Sequence, residues 1–125
     1  AFAEYRFGDA QQVSYSLWIN DLCDLYLELV KPVVYDSSDE NKDKRWAAQA
    51  TLWLSLEYGL RLLHPMMPFV TEELWQRLPG RGTLGDAEPE SIMLADFPHC
   101  NDAYKNPIVE ESMASIMKAS RRTTW

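Results

Sequence analysis

The apolar residues of the chain recur mostly at steps of three and four, which is the spacing of one face of an α-helix. The first such stretch predicts a helix over residues 9–30, with Asp9 placed to cap its start. The Lys31-Pro32 pair is expected to end this helix, because proline disfavours helical backbone at the preceding residue. Its apolar face is formed by Tyr15, Trp18, Leu22, Leu25 and Leu29.

A second helix is predicted from about residue 44 to residue 64, and a third, shorter one over residues 68–78. Pro65 ends the second helix, whereas Pro68 suits the first turn of the third, where a missing N–H costs nothing. The Pro79-Gly80 pair is expected to close the third helix. The two prolines at 65 and 68 therefore predict a sharp bend between two helices.

The connections differ in character. Residues 36–45 are polar and alternate in charge, which favours a solvated loop over a binding arm. Residues 79–90 form a Gly/Pro-rich loop, and residues 91–98 are expected to be a short extended segment. A last helix begins with Asn106 as its cap and Pro107 in its first turn. Its apolar stripe consists of Val109, Met113, Ile116 and Met117.

These elements predict an all-α fold, an antiparallel bundle of four main helices within one domain over residues 1–125. The chain has 125 residues, of which 46% are hydrophobic and 12% aromatic, so it can build a core. A membrane span is excluded because no stretch approaches about 18 apolar residues. The widely spaced Cys23 and Cys100 indicate reduced intracellular thiols, which favours a cytoplasmic location.

The formal net charge of −7 argues against DNA and against any general nucleic-acid binder. Much of the excess negative charge lies in residues 86–117, which contain seven carboxylates and a single lysine or arginine, Lys105. This segment is interpreted as a solvated acidic surface. A nucleic-acid surface would have to be a local patch elsewhere in the chain.

No group of residues has the spacing of a phosphate loop, a cofactor site or a metal site. The glycines of residues 80–85 follow no strand and precede no Lys-Ser or Lys-Thr pair. The histidines and cysteines lack the paired spacing of zinc motifs, so no metal is expected. These residues are Cys23, His64, His99 and Cys100.

Asp21, Asp24 and Glu28 share one face of the first predicted helix. A structural ion-pair cluster, with Arg61 of the next helix as partner, is favoured over a general acid/base pair, which would need a pocket. His64 at a helix end is likewise interpreted as a capping or packing residue rather than a catalytic one. No catalytic residue is assigned, and a small enzyme that uses the three carboxylates remains an alternative.

Two stretches nevertheless resemble one family. Residues 60–79, LRLLHPMMPFVTEELWQRLP, resemble the anticodon-binding domain of the class I aminoacyl-tRNA synthetases for valine, leucine and isoleucine. Residues 5–32, YRFGDAQQVSYSLWINDLCDLYLELVKP, resemble the valyl enzymes more closely than the other two. The SIMLADFP segment and the last helix also fit the valyl pattern, so the resemblance covers nearly the whole chain.

The resemblance implies a fragment of a larger multidomain ligase that joins valine to its tRNA with ATP. The catalytic motifs and the ATP site would lie in domains absent from this chain, which needs no cofactor of its own. Residues 117–125, MKASRRTTW, match the family only in part, which supports the fragment interpretation. The implied partners are the anticodon loop of valine tRNA and the other domains of the synthetase, in the cytoplasm or an organelle. An isoleucyl or leucyl counterpart and a helical protein–protein interaction module remain alternatives.

RNA loops are recognised by stacking of splayed bases on aromatic or guanidinium planes, which tolerates an acidic overall charge. Valine codons share their first two bases, so the second and third anticodon bases are expected to be read. Arg6 between Tyr5 and Phe7 is therefore a candidate stacking platform. Candidate contacts to the tRNA backbone are the basic cluster Lys42, Lys44, Arg45 and Trp46, and further candidates are Arg77 and Arg81, which border the loop after the third helix. Structural roles are assigned to Asp24, Glu28, Arg61, His64, Pro65, Pro68 and Trp75.

Overall fold

A computed structural model describes residues 4–81 and 89–123, with side chains of the last helix described as far as Lys118. All regular elements in these ranges are helical, which confirms the predicted all-α bundle. The helices are α1 (Phe7–Ser16), a π-helical segment (Leu17–Tyr26), α2 (Leu27–Tyr35), α3 (Lys42–Leu63), α4 (Pro68–Gln76) and α5 (Pro107–Thr123). Within the described ranges, 3-10 turns occupy Asp39–Asn41, Ile92–Leu94 and Asp102–Tyr104.

The first helix is longer at both ends than its sequence signals predict. It begins at Phe7, and Asp9 lies inside the first turn, where its carboxylate suits the positive end of the helix dipole. It also continues through Pro32 to Tyr35. The predicted end at Lys31-Pro32 is wrong because α2 packs along α3 there, with Val33 half-buried, and tertiary packing overrides a local preference.

The long first helix and α3 form an antiparallel hairpin. The Trp18 ring lies against Gly59 near the end of α3, whereas the Tyr26 hydroxyl donates to the Ala48 carbonyl near its start, at 2.9 Å. The start of the first helix therefore lies beside the end of α3. The π-helical segment carries Trp18, Leu22 and Tyr26, which step by four residues.

The short helix α4 turns back along α3, and Pro68 occupies its first turn as predicted. His64 Nδ1 lies 2.7 Å from the Thr71 hydroxyl and so ties the end of α3 to the start of α4. At the other end of α4, the Trp53 indole N–H donates to the Pro79 carbonyl at 2.8 Å. The predicted end near Leu78 is two residues late, since α4 stops at Gln76.

The core lies where α3, α4 and the segment after the 79–90 loop meet. Leu60, Trp75, Leu78 and Ile92 are buried together, and Trp18 packs against them from the first helix. Burial of a side chain of this size contributes roughly 1.5–3 kcal/mol. Ile92 enters this core from a 3-10 turn, so the prediction that residues 91–98 are extended is wrong in its first half.

The last helix lies at the edge of the bundle. Asn106 caps α5, since its side-chain oxygen accepts from the Val109 amide at 3.3 Å, as predicted. Ile108, Val109 and Ile116 remain exposed, and no side chain of α5 through Lys118 is buried. The helices within residues 4–81 and 89–123 include none with the length and apolar character of a bilayer span.

Candidate functional site

Two exposed aromatic rings flank a cation at the start of α1. Tyr5 is 81% exposed and Phe7 56% exposed, and their ring centroids lie 6.2 Å apart in an edge-to-face arrangement. Tyr5 has a φ of 56°, a left-handed backbone that costs a non-glycine residue about 1–2 kcal/mol. Arg6 forms ion pairs with Glu4 at 2.9 Å and Asp9 at 3.4 Å. The three residues therefore present an exposed aromatic and guanidinium platform.

A second cluster surrounds the first turn of α3. Trp46 is 71% exposed, and Lys42 and Lys44 are exposed beside it. Arg45 instead turns back and donates to the backbone carbonyl of Asp36. The structure thus leaves two lysines and one indole in solvent at this end of the hairpin, whereas Arg45 belongs to the loop.

The loop before α3 is organised by Asp36. Its carboxylate accepts from the Ser38 amide at 2.8 Å and from the Asn41 side chain at 2.5 Å. The Ser38 amide and hydroxyl, then Asn41 and Arg45, hold the pKa of Asp36 below its ordinary value. The polar segment is therefore a structured connection that sets where α3 and its lysines begin.

The two candidate arginines after α4 have different surroundings. Arg77 is exposed and forms an ion pair with Glu73 one turn earlier. The guanidinium of Arg81 lies 3.5 Å from the ring centroid of the buried Trp75, and it donates to the Pro89 carbonyl at 2.8 Å. Arg81 therefore packs against the core at the base of the loop. Of the two arginines, Arg77 is the one that a tRNA could contact.

The structure separates these clusters into two groups. Because α3 has 22 residues, it is about 33 Å long. The Tyr5 platform lies beyond the end of α3, whereas Trp46 lies at its start. Trp53, two turns along α3 from Trp46, contacts Pro79 just after α4, so Arg77 lies level with the middle of α3, nearer to Trp46 than the platform is.

Trp53 is a partly exposed residue that was not singled out from the sequence. It is 37% exposed, and it joins α3 to the end of α4 through a single hydrogen bond. The seven-residue spacing from Trp46 was the available signal, since residues seven apart share a helical face. Trp53 extends the second cluster towards Arg77.

Arg61 has partners other than the predicted ones. It forms an ion pair with Glu57 on its own helix at 2.6 Å and donates to the Asp96 carbonyl at 2.7 Å. Glu28 pairs with Lys31 at 2.5 Å, and Asp24 is exposed. The expected cluster of Arg61 with the carboxylates of the first helix is therefore wrong, because the i+4 partner on α3 is closer.

The remaining residues with assigned structural roles lie around the α3–α4 bend. Thr71 is 1% exposed, and its hydroxyl donates to the Met67 carbonyl at 2.7 Å. The same hydroxyl lies 2.7 Å from His64 Nδ1, so it bonds at once to the end of α3 and to the first turn of α4. Trp75 is 2% exposed in the core, whereas Pro65 is exposed at the bend.

The structure contains no enclosed acid/base site on the first helix. Asp21, Asp24 and Glu28 are all exposed, so they do not form the enclosed pair that an acid/base site would need. No group of three His, Cys, Asp or Glu residues within the described ranges is arranged to hold a metal ion. Both cysteines are exposed free thiols. The exposed aromatics and cations are the features that suggest a function.

The sequence was compared with known proteins. Residues 1–123 match the family described as the anticodon-binding domain of tRNA ligase. The chain is 44% identical over 114 residues to the mitochondrial valine–tRNA ligase 1 of Arabidopsis thaliana, covering 90% of this chain and 10% of that protein. It is 47% identical over 100 residues to the valine–tRNA ligase of Takifugu rubripes, covering 78% of this chain and 8% of that one.

A bacterial relative, the valine–tRNA ligase of Geobacter sulfurreducens, is 41% identical over 122 residues, covering 97% of this chain and 13% of that protein. The chain therefore spans about a tenth of the length of these relatives. The match extends over both halves of the bundle and includes the α3–α4 bend. On this similarity, the chain belongs to the anticodon-binding domain family of tRNA ligases.

Proposed function

We propose that this chain is the part of a valine–tRNA ligase that binds the anticodon loop of valine tRNA. The observation that carries the proposal is the exposed platform of Tyr5, Arg6 and Phe7, in a chain whose relatives are named valine–tRNA ligases. Exposed rings beside a guanidinium are what a protein needs to stack unpaired bases. The catalytic step, with its ATP, would belong to a domain outside this chain.

The acidic net charge is compatible with this role. Recognition of a loop rests on stacking and on base edges, which require few phosphate contacts. Lys42 and Lys44 supply local positive charge at the start of α3, a helix length of about 33 Å from the end that lies towards the platform, and Arg77 adds a charge near the middle of α3. We propose that the anticodon loop of the tRNA lies on the Tyr5 platform and that the backbone of the anticodon stem lies along Lys42 and Lys44.

The test is a titration of the chain with a valine tRNA transcript and with the same tRNA changed at its middle anticodon base. Both are measured at two salt concentrations. We expect the base change to weaken binding by roughly 1–3 kcal/mol, with a shallow salt dependence. Equal and strongly salt-dependent binding of the two tRNAs would contradict base recognition.

A tyrosine pair supplies the matched variants. Tyr5→Ala should weaken binding of the valine tRNA by about 1–3 kcal/mol, the value of one base–aromatic stack. Tyr35→Ala removes a ring that is 78% exposed at the end of α2 and should leave binding unchanged. Equal losses from the two variants would remove the platform from the proposal. For the parent ligase we propose a cytoplasmic or an organellar location, since one relative is named mitochondrial.

A further inference from the structure

A cleft of about 230 Å³ lies between α3 and the segment that leads to α5. Arg61 holds this segment against α3 by donating to the Asp96 carbonyl at 2.7 Å. The volume is below the roughly 300 Å³ at which pockets for small molecules begin, so the cleft suits a single side chain. It is lined by Leu54, Ser55, Tyr58, His99 and Tyr104.

The aromatic lining has an affinity for cations. The guanidinium of Arg61 lies 4.8 Å from the centroid of the Tyr58 ring, so this ring already accepts a positive charge. Tyr104, on the opposite wall, is 68% exposed. Its ring is therefore accessible to a second cation that enters the cleft from solvent.

The segment that leads to α5 and the facing turn of α3 carry more carboxylates than cations. Both nearby cations are ion paired, Arg61 with Glu57 and Lys105 with Asp102, each at 2.6 Å. The Asp102 carboxylate, followed by Cys100 and Glu110, raises the pKa of Lys105 above its ordinary value. The carboxylates of this segment and of the facing turn of α3 are Glu57, Asp96, Asp102, Glu110 and Glu111.

Apolar surface continues beyond the carboxylates. Ile108 is 79% exposed and Val109 54% exposed in the first turn of α5, next along the chain from Tyr104. Exposed apolar residues rimmed by charge mark surfaces that bind other proteins. A phosphate backbone would be repelled by the same carboxylates, which disfavours RNA at this face.

We propose that the cleft between Tyr58 and Tyr104 is the docking site for a basic segment of protein. An arginine or lysine side chain of that segment enters the cleft, and an apolar neighbour covers Ile108 and Val109. The charge of the site and the chemistry of its walls both select this occupant. The inference is independent of the RNA-binding function proposed above, which uses other residues.

The test uses the whole chain and a fluorescent twelve-residue peptide in which arginines alternate with leucines. We expect Tyr104→Ala to weaken peptide binding about two- to five-fold, the loss that a cation–ring contact at an exposed site predicts. The same Tyr35→Ala variant serves as the control, and a peptide with glutamates in place of the arginines should not bind. Circular dichroism confirms that each variant keeps its helices.

The outcomes separate the possible occupants. Selective loss of peptide binding in Tyr104→Ala, with unchanged binding of the tRNA, supports the proposal. Equal effects of Tyr104→Ala and Tyr35→Ala would overturn it, because binding would then depend on net charge alone. Selective loss of tRNA binding in Tyr104→Ala would assign the cleft to RNA and would also overturn it.

Discussion

Gly59 packs against Trp18 so closely that a Cβ at position 59 would lie 2.9 Å from Cζ2 of the indole ring. Real Cβ atoms do not approach other atoms at this distance. The glycine is therefore what lets the first helix approach α3 at this point. The contact joins the π-helical segment to the buried end of α3, next to Leu60.

Gly59→Ala should therefore destabilise the fold. Alanine improves helix propensity by about 1 kcal/mol, but overpacking against an indole costs roughly 1–3 kcal/mol, so we expect a net loss of about 1 kcal/mol. Urea unfolding monitored by circular dichroism measures it. Gly8→Ala is the control, since a Cβ at position 8 meets nothing within 4 Å and should be neutral or stabilising. A gain in stability for both variants would contradict the close packing.

Thr71→Val should cost about 1–3 kcal/mol, because it removes the buried hydroxyl that bonds to the half-buried His64. Valine has nearly the same shape as threonine, so the loss reports on the hydroxyl rather than on packing. Thermal unfolding of Thr71→Val beside Thr51→Val provides the measurement. Thr51 is exposed and its hydroxyl bonds to its own helix, so that variant should change stability by no more than about 0.5 kcal/mol. Similar values for the two variants would mean that the His64 contact contributes nothing.

Glu72 should make the stability of the fold depend on pH. Its carboxylate accepts from the Ser91 hydroxyl at 2.8 Å and the Ile92 amide at 3.0 Å, and so fixes the segment that carries Ile92 into the core. Hydrogen bonds from Gln76, Ser91 and Ile92 lower the pKa of Glu72 below its ordinary value of 4.5, whereas burial opposes them.

Because the folded-state pKa is lowered, the ionised carboxylate stabilises the fold above about pH 4.5, and this contribution disappears as the pH falls through the folded-state pKa. Glu72→Gln should therefore lose about 1 kcal/mol at pH 7 and less at pH 3.5, as measured by urea unfolding. Glu73→Gln breaks only an exposed pair with Arg77, so its loss should be smaller at pH 7. A Glu72→Gln deficit that is equal at both pH values would rule out the carboxylate as the cause.

The lysines at the start of α3 should affect the salt dependence of tRNA binding and not base selectivity. If Lys42 and Lys44 each neutralise one phosphate, the double change to glutamine lowers the salt slope by about 1.4 to 1.8. Titrations at several salt concentrations provide the slope. Lys31→Gln, on α2 and already paired with Glu28, should leave the slope unchanged. An unchanged slope in the double variant would remove this turn from the interface.

The helices and the bend could be predicted because their signals are local. Apolar spacing, Pro68 in a first turn and Asn106 as a cap each act within a few residues, and the structure has all three. Pro32 misled the prediction because its effect on the backbone is small compared with the packing of a whole helix.

The contacts that assemble the candidate surfaces could not be predicted in this way. Arg61 had carboxylates available on two helices, and its choice of Glu57 and the Asp96 carbonyl depends on tertiary geometry. Arg81 and Arg77 look alike in sequence, but only Arg81 has an indole to stack on. The partner of each arginine is decided by which helices and loops pack together, and the spacing of apolar residues along the chain does not specify that packing.

The tryptophans of this chain lie in different environments, so they should fluoresce at different wavelengths. Trp18 and Trp75 have buried indole nitrogens without an acceptor in the described part of the chain, so their emission should lie to the blue and report on folding. Trp46, exposed among lysines, should emit to the red, and its emission should change when the tRNA backbone lies along Lys42 and Lys44. Binding and unfolding would then change different parts of one emission spectrum, and the chain needs no added dye to distinguish them.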